Sequence, residues 1–231
     1  MIIECKDVVK TYLSDGKTVK AADKVNLKVD RGDFVVILGH SGSGKTTLLS
    51  LIGGLSRPDG GTVLVNSVGN WQQSDNALSA MRNRTIGFIF QFASLIPTLT
   101  VLENVLLPLS FGSSPKGDGK KLAMDLLGLM GLTGRENDFP SQLSGGQQRR
   151  VAIARAFINQ PEIILADEPT GDLDIDTERE ILNVFKQYNG KGTTFLVVTH
   201  NRDLALSQNK ARVLTMHQGV LTEETPCASA C

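Results

Sequence analysis

Cysteine is scarce in this chain, and neither a disulfide framework nor a zinc ribbon is expected. The 231 residues include three cysteines, Cys5, Cys227 and Cys231, of which the last two lie near the end of the sequence. Disulfide-stapled domains and zinc ribbons need more cysteines at short, repeated spacings. Such sparse usage is typical of a reducing compartment. Cys227 and Cys231 are interpreted as incidental rather than as metal ligands.

An excess of charge of one sign and long apolar runs are also lacking. The 24 Lys and Arg residues balance 24 Asp and Glu residues, so the broad positive field that non-specific nucleic-acid binding requires is absent. No apolar run approaches the roughly 18 residues that cross a bilayer. The first ten residues mix both charge signs, so no signal peptide is expected. If the protein works at a membrane, another subunit must hold it there.

Apolar patterns predict an α/β fold with a mainly parallel core sheet. Val25, Leu27 and Val29 alternate with polar residues, as in a half-buried strand of a β-rich N-terminal region. Continuous apolar runs, typical of strands covered on both faces, occur at residues 34–38, 162–167 and 193–200. Helices are predicted over residues 46–55, 147–159 and 175–188. Strands that alternate with helices indicate a parallel sheet.

The middle of the chain predicts an inserted helical lobe. Leu and Met dominate there, and Leu122, Leu126, Leu129 and Met130 are spaced to form one face of a helix. The composition of residues 111–119, FGSSPKGDG, predicts a flexible surface loop.

A glycine-rich segment between a predicted strand and a predicted helix matches the phosphate-binding pattern G-x-x-x-x-G-K-[ST]. Its glycines allow backbone N–H groups to point at phosphate oxygens, and the helix N-terminus adds positive partial charge. Lys45 is predicted to reach the β and γ phosphates, and the Thr46 hydroxyl to coordinate magnesium. The predicted nucleotide-binding residues here are Gly39, His40, Ser41, Gly42, Ser43, Gly44, Lys45, Thr46 and Thr47.

Two carboxylates end the predicted strand at 162–167. Asp167 and Glu168 follow an apolar run, at the sheet edge where ligands of open α/β sheets bind. Asp167 is predicted to hold magnesium and Glu168 to polarise the attacking water. Acidic residues also follow strands for structural reasons, so this assignment depends on the phosphate loop beside it.

The string LSGGQ, residues 143–147, predicts a turn into a helix that binds an anion. It offers a serine hydroxyl, glycine amides and a helix dipole to one ligand. A simple helix cap is the alternative, and it accounts for Ser144 but for neither Gly145, Gly146 nor Gln147.

These motifs together resemble the nucleotide-binding subunit of ABC transporters over essentially the whole chain. GHSGSGKT, LSGGQ and ILADEPT stand in the family's order, and IGFIFQFASLIPTLTVLENV (86–105) is similar to the lipoprotein-release and macrolide-export group. The resemblance implies a P-loop NTPase fold in a single ABC ATPase domain, residues 1–231. Residues 1–91 and 156–231 would form an antiparallel β lobe and the P-loop core, and residues 92–155 the helical signature subdomain.

The resemblance also implies roles for further residues. Gln91 would sense magnesium, His200 would contact the γ-phosphate, Asp174 would link two facing cassettes, and Tyr12 would stack on adenine. A purely structural role is the alternative for these residues. Polar side chains at strand ends often serve the fold alone, and Tyr12 could simply pack on the β lobe. Asp172 departs from many relatives, which carry a small residue there, and adds charge near the expected dimer seam.

The expected activity is ATP hydrolysis with ATP and Mg²⁺, by a head-to-tail homodimer in which Ser144 and Gly146 serve the partner's ATP. An integral membrane permease is the expected partner, at the cytoplasmic face of the cell membrane, with export or extraction of a substrate. A groove for a permease helix is expected along the apolar residues after Gln91, for which core packing is the alternative: Phe92, Leu95, Ile96, Pro97 and Leu99.

Other functions remain to be distinguished. The same cassette fits an ATPase that regulates a non-transporting membrane partner in cell-wall or cell-division signalling. Soluble ABC proteins of translation or DNA repair usually carry two cassettes or a long coiled-coil insertion, and the sequence has neither. A GTPase is disfavoured, since the guanine-reading N-K-x-D string is missing and the nearest match is 209–212, NKAR.

Overall fold

Two sheets form the framework of the protein, seen in a computed structural model that describes residues 1–14, 16–112, 118–171, 173–206 and 211–223. The smaller sheet is antiparallel, in the order β2-β1-β4-β5. Its strands are β1 (Ile3–Ser14), β2 (Lys17–Val29), β4 (Gly60–Val65) and β5 (Val68–Gly69). The predicted antiparallel β lobe is confirmed.

The larger sheet has six strands in the order β10-β9-β3-β8-β7-β6. Among the described strands, its pairings are parallel except that of the last two, which confirms the mainly parallel core. The strands are β3 (Phe34–Leu38), β6 (Ile86–Ile89), β7 (Ile163–Asp167), β8 (Thr194–Thr199), β9 (Arg212–His217) and β10 (Val220–Glu223).

Helices cover the larger sheet and form the helical lobe. They are α1 (Lys45–Ile52), α2 (Asp75–Thr85), α3 (Val101–Leu106), α4 (Gly119–Leu129), α5 (Gly145–Phe157), α6 (Ile175–Gly190) and α7 (Arg202–Leu206). Within the described ranges, no helix is both long and apolar enough to span a bilayer.

The core lies in two layers on either side of the parallel sheet. One contains α5, α6 and the helical lobe, with Phe157, Phe185 and Phe195 at its centre. The other joins the antiparallel sheet and α1 to the opposite face. The continuous apolar runs are buried because both faces of these strands are covered.

Several boundaries differ from the sequence predictions. The helix predicted over 46–55 ends at Ile52, where a side chain at Gly53 would collide with the Phe88 ring. Leu129, predicted to lie on the buried face of α4, is 49% exposed, and Ala123 and Leu127 are buried instead. Helix α2 was not predicted, because its eleven residues are mostly polar and Leu78 is its only buried apolar side chain.

Some predictions concern residues outside the described ranges. These are Asp172, residues 113–117 of the predicted loop, residues 209–210 of the NKAR string, and the cysteines of the terminal tail.

Candidate functional site

A cavity of about 550 Å³ opens at the carboxyl ends of β3, β7 and β8. Parallel strands deliver their C-terminal residues to one edge, so side chains far apart in sequence meet there. Residues 41–47 of the phosphate loop line this cavity together with Gln91, Asp167, Glu168 and His200, whereas Gly39 and His40, also predicted to bind nucleotide, do not. The five sequence signals thus lie around one space.

The phosphate loop is shaped by glycines in the left-handed region. Gly42 and Gly44 have φ values of 77° and 107°, and a side chain at Gly44 would collide with the Ala21 carbonyl. The Nζ of Lys45 donates to the carbonyls of Gly39 at 2.6 Å and His40 at 3.1 Å. The ammonium is therefore held inside the loop, at the start of α1.

A buried polar atom of this loop has no protein partner. The Ser43 side chain lines the cavity with 6% exposure, and its Oγ has no hydrogen-bond partner in the described structure. Buried hydroxyls are normally hydrogen-bonded. Together with the loop amides and Lys45, this free hydroxyl fits a phosphate group.

Thr46 and Asp167 provide oxygen ligands of the kind that magnesium prefers. The Thr46 hydroxyl donates to Asp167 Oδ2 at 2.7 Å. Burial raises the pKa of Asp167, and the neighbouring Glu168 carboxylate adds to this, although the Thr46 hydrogen bond and the charges of Lys45 and Arg149 oppose it. Closely placed hard oxygens with excess negative charge fit a divalent cation.

Glu168 is held in one orientation by the end of β8. Its backbone has a left-handed φ of 45°. One carboxylate oxygen accepts a bond from the Thr199 hydroxyl at 2.8 Å, and the other contacts His200 N at 3.0 Å and His200 Nδ1 at 2.9 Å. Thr199, which sequence reasoning missed, follows from the parallel pairing of the two strands.

A buried arginine in the cavity was also missed. Arg149, on α5, is 6% exposed, lines the cavity, and donates from Nη1 to the Phe90 carbonyl at 2.6 Å. Its spacing from Ile153 and Phe157, both buried, was the available signal, since i, i+4 and i+8 share a helix face.

The LSGGQ turn does not line this cavity. Ser144 and Gly145 are exposed and Gly146 and Gln147 partly so, at the N-terminus of α5. Ser144 Oγ accepts from Gln147 N at 3.2 Å, and Gln147 Oε1 accepts from Ser144 N at 2.9 Å. This reciprocal capping box accounts for Gln147 as well as Ser144, contrary to the sequence-based argument. The glycines remain unexplained by capping alone.

Tyr12 and Asp174 also lie outside the cavity lining. Tyr12, on β1, is 45% exposed, with Lys10 Nζ 5.5 Å from its ring centroid. Asp174 caps α6, accepting from Thr177 N at 2.9 Å and the Thr177 hydroxyl at 2.7 Å. Their roles with nucleotide and partner remain predictions.

Comparison with known proteins agrees with these motifs. The family described as "ABC transporter" matches residues 22–171, more than half of the chain. The lipoprotein-releasing system ATP-binding protein LolD of Saccharophagus degradans is 41% identical over 224 residues, 96% of this chain and 97% of that protein. The macrolide export ATP-binding/permease protein MacB of Sodalis glossinidius is 39% identical over 98% of this chain, which spans 35% of that protein.

A solved structure is similar over nearly the whole chain. It is the dimeric post-hydrolysis state of the ATP-binding cassette MJ0796 bound to ADP and Pi, with a TM-score of 0.89, 41% identity and 97% of each chain covered. This agreement extends from the phosphate loop through the helical lobe to the last strands. The chain therefore belongs to the ABC transporter family, in which it is an ATP-hydrolysing cassette.

Proposed function

We propose that two copies of the chain pair head to tail around two ATP molecules and drive a membrane permease. The observation that carries this proposal is the position of the LSGGQ turn. Its exposed helix N-terminus lies on the same chain as the ATP cavity but does not line it. A second copy, turned to face the first, would bring Ser144 and Gly146 to the open side of that cavity.

The chemistry needs both halves of such a site. Phosphoryl transfer requires positive partial charge around the transferred group and an aligned water. Lys45 and the loop amides supply the charge from one side. The LSGGQ turn, with its helix dipole and free glycine amides, would supply it from the other. Each chain alone thus holds an incomplete reaction site.

Four side chains of the cavity would share the remaining work. Thr46 and Asp167 would hold Mg²⁺, with Gln91 nearby. When bound, magnesium supplies positive charge to the β and γ phosphates. Glu168, fixed by Thr199 and His200, would orient the attacking water through its carboxylate. These are the roles predicted from the sequence, to which the structure adds the contacts that hold Glu168.

A second cavity supports a permease partner. A groove of about 780 Å³ has a mainly apolar wall that includes Phe88, Phe90, Ile96 and Phe111, with polar side chains such as Arg82 and Arg155 among the rest of its lining. Ile96 and Phe111 are 37% and 74% exposed. An open apolar groove fits an amphipathic helix of a partner. Of the stretch named from the sequence, Ile96 lines this groove, whereas Leu95 packs on the core and Phe92 points to solvent.

The named relatives support the direction of transport. One belongs to a lipoprotein-releasing system and the other to a macrolide exporter. On this basis the cassette would power export or extraction, from the cytoplasmic face of the cell membrane.

The Glu168→Gln variant tests the paired site. Glutamine keeps the shape of the side chain but cannot act as a base, so ATP is expected to stay bound and hold two copies together. Size-exclusion chromatography with light scattering is expected to give a dimer with ATP and a monomer without it. The Lys45→Ala variant loses the ammonium group that would contact the phosphates, so it is expected to remain monomeric and inactive. A Glu168→Gln protein that stays monomeric with saturating ATP would contradict the proposal.

A further inference from the structure

A third carboxylate, Glu178, faces the ATP cavity from helix α6. It lies in the first turn of this helix and lines the cavity. Ile181 and Leu182, three and four residues further along, are buried, so Glu178 belongs to the inward face of the helix. The proposed function gives this side chain no role, although it lies beside the groups that act on ATP.

One oxygen of Glu178 joins the two loops that follow Glu168 and His200. Its Oε1 accepts a hydrogen bond from the Thr170 hydroxyl at 2.9 Å and another from Asn201 Nδ2 at 3.2 Å. Thr170 lies two residues after Glu168 and is 7% exposed, and Asn201 directly follows His200. Hydrogen bonds to a charged acceptor are about twice as strong as neutral ones. These two hydrogen bonds, the Glu178 bridge, connect the chain after β7 to the chain after β8.

The amide of Asn201 is held from both sides. Its Oδ1 accepts from Asp203 N at 2.9 Å, at the start of α7, which leaves Nδ2 to face Glu178. The backbone N of Asn201 donates to the Thr199 hydroxyl at 3.0 Å, and that hydroxyl donates to Glu168 Oε2 at 2.8 Å. An unbroken series of hydrogen bonds therefore runs from Glu178 through Asn201 and Thr199 to the Glu168 carboxylate. Bonds in such a series strengthen one another.

We propose that Glu178 is a positioning residue for hydrolysis, which holds the loop after β8 so that Glu168 aims its carboxylate at the attacking water. It acts as a hydrogen-bond acceptor, and it neither takes a proton nor holds Mg²⁺. Displacing a catalytic group by about 1 Å can cost about 100-fold in rate. ATP binding, in contrast, depends on Lys45 and the amides of the phosphate loop. The inference rests on the role of Glu168 in the proposed function.

Two variants of Glu178 separate its hydrogen bonds from its charge. Glu178→Ala removes both, whereas Glu178→Gln keeps an acceptor oxygen for Thr170 and Asn201 without the charge. ATPase rates of the full chain are measured against Mg·ATP concentration. Glu178→Ala is expected to lower kcat by about 10- to 100-fold while KM stays within about twofold, since the lost contact serves the chemical step alone. Glu178→Gln is expected to restore most of kcat. A loss in Glu178→Gln as large as in Glu178→Ala would show that the charge itself is needed and would overturn the positioning role.

Asn201→Asp tests the bridge from its other end. Aspartate keeps the oxygen that caps α7, but it places a second carboxylate against Glu178, and like charges repel. We expect kcat to fall as in Glu178→Ala. In the double variant Glu178→Gln/Asn201→Asp, the donor and the acceptor have changed places, and most of kcat is expected to return. A double variant no better than Asn201→Asp alone would overturn the bridge.

Glu180→Ala is the matched control. Glu180 lies two residues further along α6, is exposed and does not line the cavity. This variant removes a carboxylate from the same helix and is expected to keep the wild-type kcat and KM. A loss of kcat as large as in Glu178→Ala would show a general effect on α6 and would overturn the specific role of Glu178.

Failure of this inference differs from failure of the proposed function. Wild-type kcat in Glu178→Ala and Asn201→Asp, with a dimer still trapped by Glu168→Gln, would overturn the bridge and leave the paired site standing. Wild-type hydrolysis by Glu168→Gln would remove the group that Glu178 positions and would overturn both. If Glu178→Ala fails to fold, Asn201→Asp and its double variant with Glu178→Gln decide the question.

Discussion

Asp59 is a surface carboxylate that fastens the strand carrying Tyr12 to the neighbouring loop. It accepts hydrogen bonds from Lys10 Nζ at 2.8 Å, Thr11 N at 2.7 Å and the Thr11 hydroxyl at 2.9 Å. These bonds lower the pKa of the Asp59 carboxyl from 3.8 to about 2, and the bond from Lys10 contributes most, followed by the two from Thr11. Thr11 directly precedes Tyr12, so this contact fixes the backbone next to Tyr12.

The pH dependence of stability follows from this shift. A carboxyl whose pKa is lower in the folded state stabilises the protein fully above its unfolded pKa, and the contribution disappears as pH falls through the folded value. The wild type is therefore expected to lose stability relative to Asp59→Asn between about pH 4 and pH 2. Urea denaturation of both proteins over this range measures the difference. A difference in free energy of unfolding between the two proteins that does not shrink toward pH 2 would contradict the assignment.

At the scale of single elements, the capping box of α5 gives Ser144 two roles that can be separated. Its hydroxyl stabilises the helix in the free protein, and it is proposed to contact the partner's ATP. Aspartate caps helices as well as serine does but repels phosphate. A substitution that keeps the cap and reverses the electrostatics therefore tests the second role alone.

Ser144→Asp is expected to leave the free protein within about 0.5 kcal/mol of wild-type stability and to abolish the ATP-dependent dimer in the Glu168→Gln background. Ser144→Ala, in contrast, is expected to lose about 1 kcal/mol. Ser74, the N-cap of α2, supplies the control, since Ser74→Asp keeps a cap far from the LSGGQ turn. Thermal unfolding and light scattering measure the two effects. A Ser144→Asp protein that still forms the dimer would remove Ser144 from the paired site.

Strands that are buried on both faces could be predicted from the sequence, whereas helices whose buried side is set by neighbouring elements could not. The strands at 34–38, 162–167 and 193–200 are continuous apolar runs covered on both faces, so their sequences alone reveal them. Helix α2 buries one apolar side chain, Leu78, and its packing comes from contacts with β6 rather than from its own pattern. On α4, Leu129 fits the periodic face as well as Leu126 does, and only the position of the neighbouring helices decides between them.

At the scale of the whole molecule, the groove and the ATP cavity are connected through one segment. Phe90 lines the groove, and its carbonyl accepts the hydrogen bond from Arg149 in the cavity. Gln91, the next residue, lines the cavity itself. A partner helix in the groove would therefore press on the same backbone that the nucleotide site uses.

Ile96→Asp tests the groove without touching the cavity. A carboxylate on an apolar wall is expected to abolish association with the proposed permease partner, because its desolvation is costly, while ATP affinity stays at the wild-type value. Co-purification of tagged cassette and permease from solubilised membranes measures the association. Leu129→Asp, at an apolar position on α4 that is also exposed and does not line the groove, is expected to leave it intact. Association that survives Ile96→Asp would exclude this groove as the docking site.

The chemistry of the motifs depends on residues that are close in sequence, so the sequence alone was enough to identify them. A loop that wraps phosphate needs glycines and a lysine at a fixed spacing, and an acidic pair ending a buried strand lies at the sheet edge. Tertiary structure alone decided which side chains share the cavity. It brought Thr199 and Arg149 to the cavity and left Ser144 outside, because these relations depend on the pairing of parallel strands and on where α5 packs. Contacts between residues far apart in sequence have no local pattern from which they can be predicted.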